Sequence, residues 1–154
     1  MDLGLDGNAA LVTAGSGGLG LASATALAEE GAHVAVCGRD EARLERARET
    51  LEAAGDGDVL AVRADITEQA DVEAFVAETV ETFGRLDHVV TSAGGPRSGP
   101  FVEMGNEDWY GAYDLLVMSV VWTTQAAYPH LRETGGSVVN VTSRSVQEVI
   151  DGLV

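Results

Sequence analysis

The chain contains no lysine: all nine of its basic residues are arginines, set against 25 acidic ones. A formal net charge of -16 and a pI near 4.2 leave no basic patch for phosphate backbones. Nucleic acid is therefore excluded as a partner, and an anionic membrane surface is disfavoured for the same reason. Cys37 is the single cysteine, so no internal disulfide can form, and no Cys/His cluster has zinc-ligand spacing; no metal site is expected. No uncharged apolar run reaches the roughly 18 residues of a spanning helix. The opening Met1-Asp2-Leu3-Gly4-Leu5-Asp6 has neither a basic flank nor an apolar stretch, so no secretory signal is expected and the expected compartment is cytoplasmic.

What is present is a foldable chain. Apolar residues make up 45% of 154, which separates it from a disordered acidic tail and sets the expectation of one domain over residues 1–154. Excess carboxylate repels itself in dilute salt and is tolerated when screened. The composition is read as a halophilic adaptation to a salt-rich cytoplasm, the alternative being an acidic protein of an ordinary cell.

Short apolar runs alternate with helical patterns. Ala9 to Thr13 meets a glycine cluster, and a helix from about Leu19 to Glu30 stops at Gly31. After His33 to Cys37, Asp40 is placed to cap a helix whose Leu44, Ala47, Leu51 and Ala54 share one face before Gly55. Val59 to Val62 leads to Asp65. Val72, Phe75, Val76, Val80 and Phe83 then mark a third helix, with Thr67 as its expected N-cap and Gly84 as its terminator. Leu86 to Thr91 enters a Gly/Pro loop from Ala93 to Pro100. Asn106 is expected to cap one long helix reaching about Leu131, and Ser137 to Val141 forms a fifth strand. Strand-helix alternation with continuous apolar strands predicts an α/β fold: a doubly wound parallel sheet of Rossmann type, truncated after the fifth strand. Trp109 and Trp122 are expected in the core.

The segment Thr13-Ala14-Gly15-Ser16-Gly17-Gly18-Leu19-Gly20 follows a strand and opens a helix. In that context a GxGxxG pattern points to a pyrophosphate held on backbone N–H groups at a helix N-terminus, with glycines allowing close approach. A flexible strand-helix turn is the alternative. The second strand ends in Cys37-Gly38-Arg39-Asp40. Gly38 removes the acid that would repel a 2′-phosphate and Arg39 supplies a forked cation, which favours NADP(H). Alternatively Arg39 is solvated, Asp40 binds the ribose, and NAD(H) is the cofactor.

These residues together resemble the short-chain dehydrogenase/reductase family, in particular members like 3-oxoacyl-acyl-carrier-protein reductase. Thr13 to Gly20 looks like the family's TGxxxGxG turn, with Ala14 in place of its first glycine. Asp65-Ile66 looks like the site that contacts adenine. Leu86-Asp87-His88-Val89-Val90-Thr91-Ser92-Ala93-Gly94 resembles LDxLVNNAG, with Thr91 and Ser92 replacing both asparagines. Gly136 to Ser143 resembles the strand that delivers the catalytic serine. The resemblance implies hydride transfer between a nicotinamide and a carbonyl or alcohol carbon of a small-molecule substrate. It gives Ser143 the role of positioning the substrate oxygen and assigns cofactor contacts to Thr13, Gly15, Ser16, Gly17, Gly18, Leu19, Gly20, Arg39, Asp65, Ile66, Ser92, Ala93 and Gly94. Without that motif, Ser143 reads as a strand-end serine bonded to local backbone; Ser145 is a weaker candidate.

Leu116 stands where many relatives place a catalytic asparagine. The family's tyrosine and lysine would fall beyond Val154, and Tyr110, Tyr113 and Tyr128 lack a following lysine, so the chain as given is expected to be a fragment without normal activity. Leu115 to Met118 and Val120 to Trp122 make the fourth helix apolar almost all round, which calls for a partner and implies a homo-oligomer through that helix; cover by the Gly95–Gly105 loop is the alternative. Other signals are weak. His33, His88 and His130 read as strand-end or surface residues, Asn140-Val141-Thr142 as a chance glycosylation sequon, and Arg97 as a loop cation that could meet a substrate anion. Two rival functions stay open: a non-catalytic nucleotide-binding or interaction subunit, and a methyltransferase, against which Gly38-Arg39 argues.

Overall fold

The five apolar runs become parallel strands: β1 (Ala9–Val12), β2 (His33–Gly38), β3 (Val59–Arg63), β4 (His88–Thr91) and β5 (Ser137–Asn140). They form one sheet in the order β3-β2-β1-β4-β5 in a computed structural model that describes residues 3–148. Met1, Asp2 and the chain end expected at Val154 lie outside the described residues. Neighbouring strand residues point to opposite faces, and β1 shows the result. Leu11 packs with Val72, Phe75, Val76, Val89, Ala127 and Leu131, whereas Val12 packs with Ala24, Ala28, Val36, Leu44 and Leu51. Helices α1 (Gly18–Glu29) and α2 (Glu41–Ala54) thus cover one face. The other is covered by α3 (Gln69–Phe83) and by α5 (Ser119–Thr134), the second part of the chain's longest helical stretch. The doubly wound α/β expectation holds.

Local chemistry explains most boundaries. Asp40 caps α2 by accepting the Arg43 N–H at 2.9 Å. Gly84 and Gly135 end α3 and α5 in the left-handed conformation. Gly20, Ala24 and Ala28 give α1 a small-residue face that lies close on the sheet.

Four expectations are corrected. Thr67 does not cap α3, because its N–H and hydroxyl both donate to Asp65 Oδ1, and Glu68 takes the cap position without a side-chain bond. Asn106 is the first residue of α4 (Asn106–Tyr113) rather than its cap; Gly105 precedes it, and the Asp108 carboxylate accepts the Gly105 N–H at 2.9 Å. The long helix is not uniform, since a π-helical stretch, Asp114–Met118, separates α4 from α5. There the Ser119 N–H reaches back to the Asp114 carbonyl while the Ser119 hydroxyl donates to the Leu115 carbonyl at 2.7 Å, satisfying a group the wider turn shifts out of register. Trp109 is 42% exposed and meets Phe101 edge-on, whereas Trp122 does pack against the core.

Asp87 ties three strands at the base of the sheet, the end away from the glycine turn. Its N–H donates to the Ala9 carbonyl, its carbonyl accepts the Ser137 N–H, and its buried carboxylate accepts the Ala9 N–H and two bonds from Arg85 at 2.7–2.8 Å. Burial pushes this carboxyl up, but the Arg85 and Ala9 bonds together outweigh it and hold the group below the usual carboxylate range. A depressed folded value means the contribution is present above about pH 4 and is lost as the pH falls through the folded value. Asp87→Asn should cost about 1–3 kcal/mol in urea unfolding at pH 7. The gap to the parent chain should close as the pH is lowered beneath about 4.

Candidate functional site

At the C-terminal ends of the strands, β1 and β4 are neighbours whose following helices leave toward opposite faces. A crevice at such a reversal is where parallel α/β sheets bind ligands. Thr13 closes its floor. The buried hydroxyl donates to the Ser92 carbonyl at 2.7 Å and accepts the Ser92 N–H at 2.8 Å, while the Thr13 N–H donates to Val90. The Thr13 side chain is thus committed to the protein itself.

The glycines of the turn divide into two kinds. A Cβ on Gly15 would meet Val36 at 2.7 Å, and one on Gly20 would meet the Ala14 carbonyl at 2.5 Å, so both are demanded by close packing. Gly17 and Gly18 face open space. Gly18 has a left-handed φ of 56°, but Gly17 is extended, and nothing in the fold requires a glycine there. Gly17, Gly18 and Leu19 form an exposed rim at the start of α1, whose glycine N-cap has no side chain to satisfy the first N–H groups. Ala14 carries the cost of the turn, with a φ of 49° on a residue that has a Cβ.

Gly38 is held bare by Ser16: a Cβ at Gly38 would come within 2.6 Å of Ser16 Oγ. Beyond it, Arg39 is exposed and its Nη1 lies 3.6 Å from Asp65 Oδ2, so two residues read separately in the sequence are neighbours. Burial raises the Asp65 carboxyl, but the Thr67 bonds and Arg39 lower it further, leaving it below the usual range. Asp40 spends its carboxylate on the α2 cap, which weakens the alternative that it binds a ribose. The Ile66 side chain is buried in the core beside α3, which leaves its backbone for any contact.

Just past β4, Ser92 is buried, whereas Ala93 and Gly94 are exposed and Gly94 faces open space. Thr91 donates to Asn140 Oδ1 at 2.6 Å, a side-chain link between β4 and β5. Ser143 is exposed just past β5, where its hydroxyl accepts the Ser145 N–H at 3.1 Å and the Ser145 hydroxyl at 2.8 Å. Tyr110, Tyr113 and Tyr128 lie exposed on α4 and α5. Arg97 is engaged with Asp108 at 2.7 Å, anchoring the loop before α4. Burial pushes the Cys37 thiol up to about 12, which keeps it protonated and unreactive.

Two features escaped sequence reading: the Arg39–Asp65 contact, which depends on the β2–β3 register, and the hold of Thr67 on Asp65. An Asp two residues before a Thr is a local signal for the second.

Comparison with known proteins bears on the family and the fold. A family model described as short chain dehydrogenase matches residues 8–153. An uncharacterized oxidoreductase of Methylorubrum extorquens is 38% identical over 140 residues, covering 90% of this chain and 56% of that protein. The solved structure of L-sorbose reductase from Gluconobacter frateurii, complexed with NADPH and L-sorbose, is similar with a TM-score of 0.94 at 31% identity, covering 99% of this chain and 59% of that one. An NADH-dependent reductase complexed with NAD has a TM-score of 0.91 at 30% identity, over 99% of this chain and 67% of that one. The chain spans about half the length of the curated relatives it matches, from 44% to 62%. It belongs to the short-chain dehydrogenase family.

Proposed function

We propose that residues 1–154 are the NAD(P)-binding unit of an oxidoreductase that works on a small carbonyl or alcohol substrate, with NADP(H) preferred and NAD(H) accepted. The observation that carries this reading is Gly17, a bare backbone position that packing does not require, at an uncapped helix N-terminus beside the switch point. The N–H groups of Gly17, Gly18 and Leu19 suit an anion there, while Gly15 and Gly20 keep the turn tight. Ser16 and Arg39 face the adenosine end, Asp65 and the Ile66 backbone border the adenine, and Ala93 and Gly94 line the far wall, with Thr13 and Ser92 setting its shape. When bound, the reduced nicotinamide would give a hydride to a carbonyl carbon, and the oxidised one would take a hydride from an alcohol carbon.

Ser143 is assigned to hydrogen-bond the substrate oxygen; its present partner, Ser145, is a neighbour that a substrate can replace. No acid-base pair of tyrosine and lysine is contained in these residues, so by themselves they bind coenzyme without turnover. A 3-oxoacyl-acyl-carrier-protein substrate is the finer reading. Leu116, Val117 and Val121 are exposed, and the Phe101–Trp109 contact shows the preceding loop packing elsewhere, which supports a homo-oligomer through this helix. The acid excess and missing lysine support a halophilic, cytoplasmic protein. A binding subunit without chemistry is the second reading, and the exposed Leu116–Val121 face favours it.

Calorimetric titration in concentrated KCl tests the proposal: binding of NADPH and NADH supports it, and affinity for neither overturns it. Arg39→Asp should weaken NADPH far more than NADH; equal losses would remove the 2′-phosphate assignment. Gly17→Val should leave the melting temperature near that of the parent chain, yet weaken both coenzymes at least about tenfold, or ~1.4 kcal/mol. Gly20→Ala, by contrast, drives a methyl against the Ala14 carbonyl and should destabilise the fold itself.

A further inference from the structure

Arg39 stands at the end of β2, where the adenosine end of the coenzyme is proposed to be read, yet it does not face that space alone. It follows the last residue of β2, and Asp65 lies two residues past the end of β3. The register Gly38↔Arg63 brings the two segments side by side. The Asp65 carboxylate is fixed in place. Its Oδ1 accepts the Thr67 N–H at 3.0 Å and the Thr67 hydroxyl at 2.7 Å, and its Oδ2 stands 3.6 Å from Arg39 Nη1. Arg39, with a side chain 73% exposed, has no other side-chain partner among the described residues to hold it, whereas Asp65, at 32%, is held by Thr67.

This arrangement has a direct electrostatic meaning. A 2′-phosphate brings between one and two negative charges and needs the guanidinium that Asp65 already faces. Because Thr67 holds the carboxylate, Asp65 cannot swing away when the phosphate arrives, and two anions then share one cation. A 2′-hydroxyl makes no such demand. Resting on the proposed coenzyme site, we propose that Asp65 is a specificity-determining residue that holds Arg39 back from a 2′-phosphate, so the preference for NADP(H) over NAD(H) is smaller than Arg39 alone would impose. Thr67 is the positioning residue that keeps the carboxylate there.

The test is a binding cycle read by calorimetry with NADPH and NADH on the full chain, parent and variants alike. Asp65→Asn keeps an oxygen for Thr67 and removes the charge; it should raise the NADPH-to-NADH affinity ratio about two- to fivefold, as expected for an exposed ion pair. Arg39→Gln should bring the ratio to one or below, and Asp65→Asn added to it should raise the ratio by less than it does with Arg39 present. If Asp65→Asn does not fold, Asp65→Ser carries the same readout. A ratio that stays put or falls when the carboxylate is removed in the presence of Arg39 overturns the inference while leaving the coenzyme site intact. A parent chain that binds neither coenzyme overturns the site and this inference together.

Discussion

The two-way hydrogen bond between the Thr13 hydroxyl and the Ser92 backbone is the joint on which the site depends. It spans the ends of β1 and β4, the two strands at which the chain reverses its direction of winding. One buried oxygen both donates and accepts, so neither Ser92 backbone group is left unsatisfied where the side chain is buried. The glycine turn rises from Thr13 and the Ala93–Gly94 wall rises from Ser92. The relative placement of the two walls thus follows from this one contact.

Elements governed by local chemistry were legible in the sequence. The Leu44-Ala47-Leu51 and Val72-Phe75-Val76 spacings gave the buried faces of α2 and α3, and Asp40 and Gly84 marked helix ends because caps act within a few residues. Thr67 misled for an instructive reason: the same hydroxyl that suits an N-cap also suits a turn closed on Asp65, and the carboxylate two residues earlier won. Trp109 looked like core because it is large and apolar, but α4 carries its neighbours away from the sheet. The π-helical stretch left no mark, since its signature is a shift of backbone partners, and Ser119 reads as any helical serine.

The site residues divide along the same line. Gly15, Ser16, Gly17 and Gly20 could be placed because a strand, a turn and a helix follow one another in sequence. That Gly15 and Gly20 answer to packing while Gly17 does not required the three-dimensional neighbours. Charge shows the same division. With lysine absent from the sequence, these pairings lean on arginine: Arg85 grips Asp87 through two nitrogens at the base of the sheet, and Arg97 meets Asp108 through one nitrogen at the loop before α4. Only the first involves a buried carboxylate, so it alone bears appreciably on stability; the exposed pairs organise loops more than they hold the fold.

Ala14 has a consequence that reaches beyond its own strain. A glycine in its place would let the unliganded loop sample both signs of φ, and those alternatives would have to be surrendered on complex formation. The methyl group, packed against the core at φ 49°, closes off that wandering in advance. On the proposed reading, folding free energy given up at this one residue would leave a cradle already set for the coenzyme, so that association would lose less freedom than on a more supple loop.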